Sequence, residues 1–157
     1  MTEPTVLLIN PNTSQETTQA MHRLACQSLP QGWVLRNITA EQGARMITTE
    51  DELRVAVDQV VHMGQQLAPE VDAIVVGAFG NPGLAALRQA VSIPVNGIGE
   101  ASMREAALGG QRFRVHHHVQ VLGDVDRQTL FVFQLRLADF LVHQRIVNVL
   151  AQFAELA

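Results

Sequence analysis

The chain has 157 residues, 47% apolar and 17% charged, enough for one domain with a sizeable core. Its net charge is −4 and its 11 basic residues are scattered, which argues against nucleic acid or an anionic membrane as partner. The single cysteine, Cys26, excludes an intrachain disulfide and argues against a cysteine-based zinc site. The opening MTEPTVLLINPN carries an acidic residue where a signal peptide carries basic ones. No apolar run reaches the roughly 18–20 residues of a spanning helix, so a cytoplasmic protein is expected.

TVLLIN (5–10) is too short for a helix and reads as a buried strand ended by Pro11. Helical spacing follows over 13–28, with Thr13 or Ser14 as N-cap, Glu16 in the first turn, and Pro30 and Gly32 beyond the end. WVLRNI (33–38) is a second strand. A polar stretch leads to a helix over 50–67, with Leu53, Val57, Val60 or Val61, and Gly64 or Leu67 on its apolar face. Glu50 and Asp51 suit its positive end. DAIVVGA (72–78) is a third strand, and 82–91 a short helix with Pro82 at its first position. IPVNGI (93–98) is a fourth strand, followed by a helix over 99–108, and RFRV (112–115) starts a fifth strand. Continuous apolar strands alternating with helices define an α/β fold: a parallel sheet with helices on both faces, Rossmann- or flavodoxin-like.

Beyond residue 115 the rhythm stops. The run LFVFQLRLADFLVHQRIVNVLAQFAELA has neither Gly nor Pro, and its apolar spacing predicts a helix over 127–156. The chain therefore divides into a lobe, 1–115, and an atypical tail, 116–157. Two accounts of the tail stand side by side. Its dense apolar residues, Leu130, Phe131, Phe133, Leu135, Leu137, Phe140 and Leu141, suit an interface that covers the sheet or pairs chains into a homo-oligomer. Alternatively the tail is out of frame. Reading the codons of VHHHVQ one base later allows Ser-Ile-Thr-Thr-Ser. Adjacent histidines on a strand point to opposite faces, so His116, His117 and His118 are a weak metal motif.

Ligands of open parallel sheets bind at the carboxyl ends of strands, near the point where strand order reverses. Three loops there carry polar and glycine residues: NPNTS (10–14), AFGNPG (78–83) and NGIGEAS (96–102). Each leads into a helix start with backbone N–H groups to offer, which suits a carboxylate or an imide-like oxygen. Plainer readings hold for each. Asn12, Thr13 and Ser14 also serve as a helix cap, Pro82 and Gly83 as turn chemistry, and Glu100 as helix-terminal charge. Cys26, between Leu24 and Leu29, reads as a small core residue. Trp33 and Arg45 lie near the polar stretch, and nothing in the sequence says whether they reach the site.

INPNTS, FGNPGL and IPVNGIGEASMREA, in this order and at this spacing, resemble the aspartate/glutamate racemase superfamily, its hydantoin and allantoin racemases in particular. The resemblance covers about residues 5–115. It implies an isomerase acting on a small molecule, an amino acid or a hydantoin- or allantoin-like compound. It implies two facing α/β lobes and racemisation without a cofactor or metal. One cysteine from each lobe flanks the chiral carbon: one takes its proton, the other returns one. Position by position, it places Asn10, Asn12, Thr13 and Ser14 in one substrate loop, Phe79, Gly80, Asn81, Pro82 and Gly83 in a second, and Gly97, Gly99 and Glu100 in a third. Asn81 stands where an aspartate is common. The first catalytic cysteine belongs at position 78, which here is Ala78, and the second lobe with its own cysteine is not in this sequence. An alanine neither takes nor gives a proton. The expectation is therefore a truncated racemase by descent with impaired catalysis, with a non-catalytic binding module or a decayed fragment as alternatives.

Overall fold

The computed structural model describes residues 3–107. Strand β1 spans Thr5–Asn10, helix α1 Gln15–Cys26, β2 Val34–Thr39, α2 Glu50–Leu67, β3 Ala73–Val76, α3 Leu84–Ala90, β4 Val95–Gly97 and α4 Ile98–Ala107. A 3-10 turn, Ala68–Glu70, follows α2. The expected strand at 112–115, the three adjacent histidines and the expected helix over 127–156 lie outside the described residues.

The strands form one four-stranded sheet in the order β2-β1-β3-β4. Every pairing is parallel, with Val6 opposite Ala73 and Ile74 opposite Val95. Strand side chains alternate between faces, so β1 feeds two cores. Val6 and Leu8 join Ala73 and Val75 under Met21 and Ala25 of α1, with Ile98 and Ala101 of α4 packed alongside. Leu7 and Ile9 join Ile74, Val76 and Val95 against Val60 and Met63 of α2 and Leu84 and Leu87 of α3. All four apolar side chains Val6–Ile9 are wholly buried. That is why the central strand reads as an unbroken apolar run, and the expected α/β class with helices on both faces is the class observed.

Local details depart from expectation for packing reasons. Helix α2 buries Ala56, Val60, Met63 and Gly64, while Leu53 is 38% exposed. The helix turns its small residues inward because α3 comes close: a Cβ on Gly64 would meet the Leu87 side chain at 2.5 Å. Helix α3 starts at Leu84 rather than Pro82, because Gly83 sits at φ 70 and resets the chain direction. A side chain at Gly83 would also press on the Val57 carbonyl oxygen at 2.9 Å. Cys26 is exposed and is no core residue. Thr18, Met21 and Ala25 are the buried residues of α1, and the next position lies about 100° further round the helix.

Candidate functional site

From β1 the chain moves outward to β2; from β3 it moves outward the other way to β4. The strand order therefore reverses between β1 and β3, and the crevice outside their carboxyl ends is where such sheets hold ligands. Asn10 ends β1 opposite Thr39, while Ile9 pairs with Val76 and Val76 with Gly97. The register thus brings together the three loops singled out in the sequence.

The first loop is braced from within. Asn10 is wholly buried. Its Nδ2 donates to Asn12 Oδ1 at 2.9 Å, the Ser14 carbonyl at 3.0 Å and Thr18 Oγ1 at 2.9 Å, three acceptors for two hydrogens. Its Oδ1 accepts from the Asn12 N–H at 3.2 Å, which fixes the orientation of the amide. Asn12 Oδ1 also accepts from the Ser14 N–H at 2.9 Å. Ser14 is the N-cap of α1, accepting from the Thr17 N–H at 3.3 Å. The hydroxyls of Thr18 and Thr39 lie 2.6 Å apart, and Thr39 donates to Gln15 Oε1 at 3.2 Å.

The backbone donors of this loop are therefore spent, contrary to the sequence-based expectation. Asn12 N–H and Ser14 N–H go to side-chain oxygens, and Thr13 N–H donates to the Ala44 carbonyl at 3.0 Å. What the loop leaves unpaired is side chain. Among the described residues, Asn12 Nδ2 and the Thr13 hydroxyl have no partner, and both residues are half-buried.

The second loop is the reverse. Ala78 stands two residues beyond β3, half-buried. Its carbonyl accepts from the Asn81 N–H at 3.0 Å, closing a β-turn with Phe79 and Gly80 at its centre. Among the described residues, the N–H groups of Ala78, Phe79 and Gly80 carry no hydrogen bond. Asn81 has φ 48, a left-handed conformation that asparagine tolerates better than most residues. Pro82 is buried, Gly83 is the left-handed residue just before α3, and neither offers a donor side chain.

The third loop is locked to the second. Asn81 Oδ1 accepts from the Gly99 N–H at 3.1 Å, in the first turn of α4. A Cβ on Gly99 would collide with the Phe79 carbonyl, and one on Gly97 with the Asn81 side chain. Glycine is required at both positions for room. The Glu100 carboxylate is engaged on both oxygens, by Arg88 at 2.8 Å and Arg104 at 2.7 Å, while Arg88 Nε also donates to the Val95 carbonyl at 2.8 Å. Glu100 thus ties α3 to α4.

Of the two residues left undecided, Trp33 lies at the other edge of the sheet. It precedes Val34, which pairs with Thr5 at the start of β1, so it stands at the amino end of the strands. Arg45 pairs with Glu16 at 2.9 Å, both exposed, beside the Thr13–Ala44 bond that holds this segment to the first loop. Thr18, Thr39, Gln15 and Arg88 were missed from the sequence. Thr18 lies four residues after the cap Ser14, a spacing that places both on one helix face; the others carried no local signal. No group of three or more His, Cys, Asp or Glu positioned to hold a metal ion occurs among the described residues. No helix among them is long and apolar enough to cross a membrane.

The fold and the crevice define a parallel α/β lobe with unpaired donors at its strand-order reversal. A model of the Asp/Glu/Hydantoin racemase family matches residues 6–150, and the chain belongs to that family. It is 27% identical over 112 residues to a hydantoin racemase of Paenarthrobacter aurescens, covering 70% of this chain and 48% of that protein. It is 33% identical over 118 residues to an uncharacterised protein of Schizosaccharomyces pombe, covering 71% of this chain and 49% of the relative. Among solved structures, an allantoin racemase from Klebsiella pneumoniae superposes with TM-score 0.64 at 29% identity, over 67% of this chain and 43% of that one. An allantoin racemase from Pseudomonas fluorescens, at 23% identity and TM-score 0.63, shares the fold over 66% of this chain and 44% of its own. The chain spans about half the length of the curated relatives it matches.

Proposed function

We propose that the crevice binds the oxygens of a small amino-acid-derived ligand, a carboxylate or a hydantoin- or allantoin-type imide, and that this chain does not itself move the proton. The carrying observation is the run of unpaired N–H groups at Ala78, Phe79 and Gly80, opening from a position that holds only a methyl group. Such donors stabilise charge building on a carbonyl or imide oxygen as an adjacent carbon is deprotonated. Asn12 Nδ2 and the Thr13 hydroxyl, half-buried and without a partner among the described residues at the carboxyl end of the neighbouring strand, would supply the second wall. Asn10, Ser14, Gly97, Gly99 and Glu100 hold these donors in place rather than touching the ligand.

Proton transfer needs a group of matched pKa against the reacting carbon. The resemblance drawn from the sequence implies proton transfer by thiols without a cofactor, and on that reading Ala78 would stand at the thiol's position. The reading is thus of an isomerase by descent that keeps the binding half of the machinery. Relatives named hydantoin and allantoin racemases set the ligand classes to try. Titration of the chain with allantoin, L- and D-5-substituted hydantoins, aspartate and glutamate, followed by amide NMR, tests it. Shifts centred on Phe79 and Gly80 support the reading; none with any of these compounds refutes it and leaves the decayed fragment. A cytoplasmic location and self-association through the 127–156 segment belong to the same proposal. So does the division after residue 115, and the DNA beyond that codon decides whether the tail is in frame.

A further inference from the structure

We propose that Asn81 is a positioning residue. Its side chain caps α4 across the crevice and thereby fixes the Phe79–Gly80 turn that presents the donors. This rests on the reading of those two N–H groups as ligand contacts and adds what holds them.

Helix α4 has no cap of its own, since the residue before it is Gly97. The orphan N–H of its first turn is met by Asn81 Oδ1, reaching 18 residues back in sequence to another loop. Three features hold that side chain on target. The backbone sits at φ 48, a left-handed conformation that few residues other than glycine and asparagine hold readily. Its N–H and carbonyl are both used, to the Ala78 carbonyl at 3.0 Å and from the Leu84 N–H at 3.2 Å. The two glycines of the β4–α4 junction leave the space that the Asn81 side chain and the Phe79 carbonyl fill. Asn81 is thus bonded at its backbone to both ends of one loop and at its side chain to another. Moving it moves the turn between Ala78 and Asn81.

The capping group is an oxygen, so aspartate can replace it and adds a charge favourable to a helix N-terminus. Glycine can also hold φ 48 without strain, so Asn81→Gly removes the side chain and little else. Amide hydrogen exchange and 1H–15N spectra of the full chain test the idea in both variants. In Asn81→Gly the Gly99 amide exchanges about fivefold faster, the equivalent of about 1 kcal/mol at 1.4 kcal/mol per tenfold. The Phe79 and Gly80 signals shift or broaden with it. In Asn81→Asp all three return to wild-type behaviour. Unchanged Gly99 exchange in Asn81→Gly overturns the cap. Faster exchange with unmoved Phe79 and Gly80 signals overturns the positioning role. L-5-methylhydantoin added to the wild-type chain reads the other reading separately: without shifts at Phe79 and Gly80 the binding proposal falls, while the Asn81 comparison still stands or falls on its own signals.

Discussion

The hydroxyls of Thr18 and Thr39 meet at 2.6 Å, joining the first helix to the end of β2 beneath the loop that begins at Asn10. This pair and the buried Asn10 amide form one connected polar network in an otherwise apolar lobe. A buried polar network is stable only when every member is satisfied, and among the described residues no buried side-chain nitrogen or oxygen lacks a partner. Asn10→Ala strands the Asn12 N–H and removes the donor shared by three acceptors. It is expected to cost about 2–4 kcal/mol. Urea denaturation measures this as a lower midpoint at unchanged slope.

Among the glycines of the crevice, room separates essential from dispensable. A Cβ on Gly99 runs into the Phe79 carbonyl, whereas one on Gly80 meets nothing within 4 Å. Gly99→Ala should destabilise by about 1–3 kcal/mol, the range of overpacking. Gly80→Ala should stay within about 1 kcal/mol of wild type. Thermal melting of the two variants side by side checks the ordering.

Glu100 is expected to matter for the join between α3 and α4 and not for the ligand. Its pairs with Arg88 and Arg104 are partly solvated, and such pairs contribute at most about 1 kcal/mol. Glu100→Gln should leave ligand-induced shifts at Phe79 and Gly80 unchanged and lower the melting temperature slightly. Loss of the shifts in a folded variant would return Glu100 to the ligand set.

The start of α2 carries a pH signature. Thr49 and Glu52 form a reciprocal capping box. The Glu52 carboxylate accepts from the Thr48 N–H at 2.7 Å and the Thr49 N–H at 2.9 Å. The Thr48 backbone bond is the main cause that lowers its pKa below the ordinary 4.5. A folded pKa below the unfolded one contributes stability above the unfolded value, and that contribution is lost as pH falls through the folded value. The stability gap between wild type and Glu52→Gln should therefore be widest near neutrality and close as pH drops below about 4.5. Equilibrium unfolding across that window reads it.

Much of the lobe was legible because its signals are local. VLLI and AIVV are unbroken apolar runs, Ser14 caps its own helix, and each loop lies at the strand end its sequence suggests. What was not legible depends on partners distant in sequence. The N–H of Thr13 looked free until the Ala44 carbonyl came to meet it, and nothing local in the sequence announced that Asn81 Oδ1 would accept from the Gly99 N–H. The inward face of α2 was legible at Val60 and Gly64 but not at its start, where apolarity pointed to Leu53 and the helix buries Ala56 instead. Capping by Glu52 was in the sequence as Thr-x-x-Glu but lay hidden behind the more obvious charges of Glu50 and Asp51.

The proposal at stake is that the crevice offers oxygen-binding donors while Ala78 supplies no group to move the proton. Deuterium exchange at the chiral carbon of L-5-methylhydantoin in D2O, followed by NMR with and without the chain, tests it most directly. The account predicts an exchange rate equal to that of buffer alone, under conditions where the ligand shifts the Phe79 and Gly80 amides. Exchange accelerated by the chain in proportion to its concentration would contradict it.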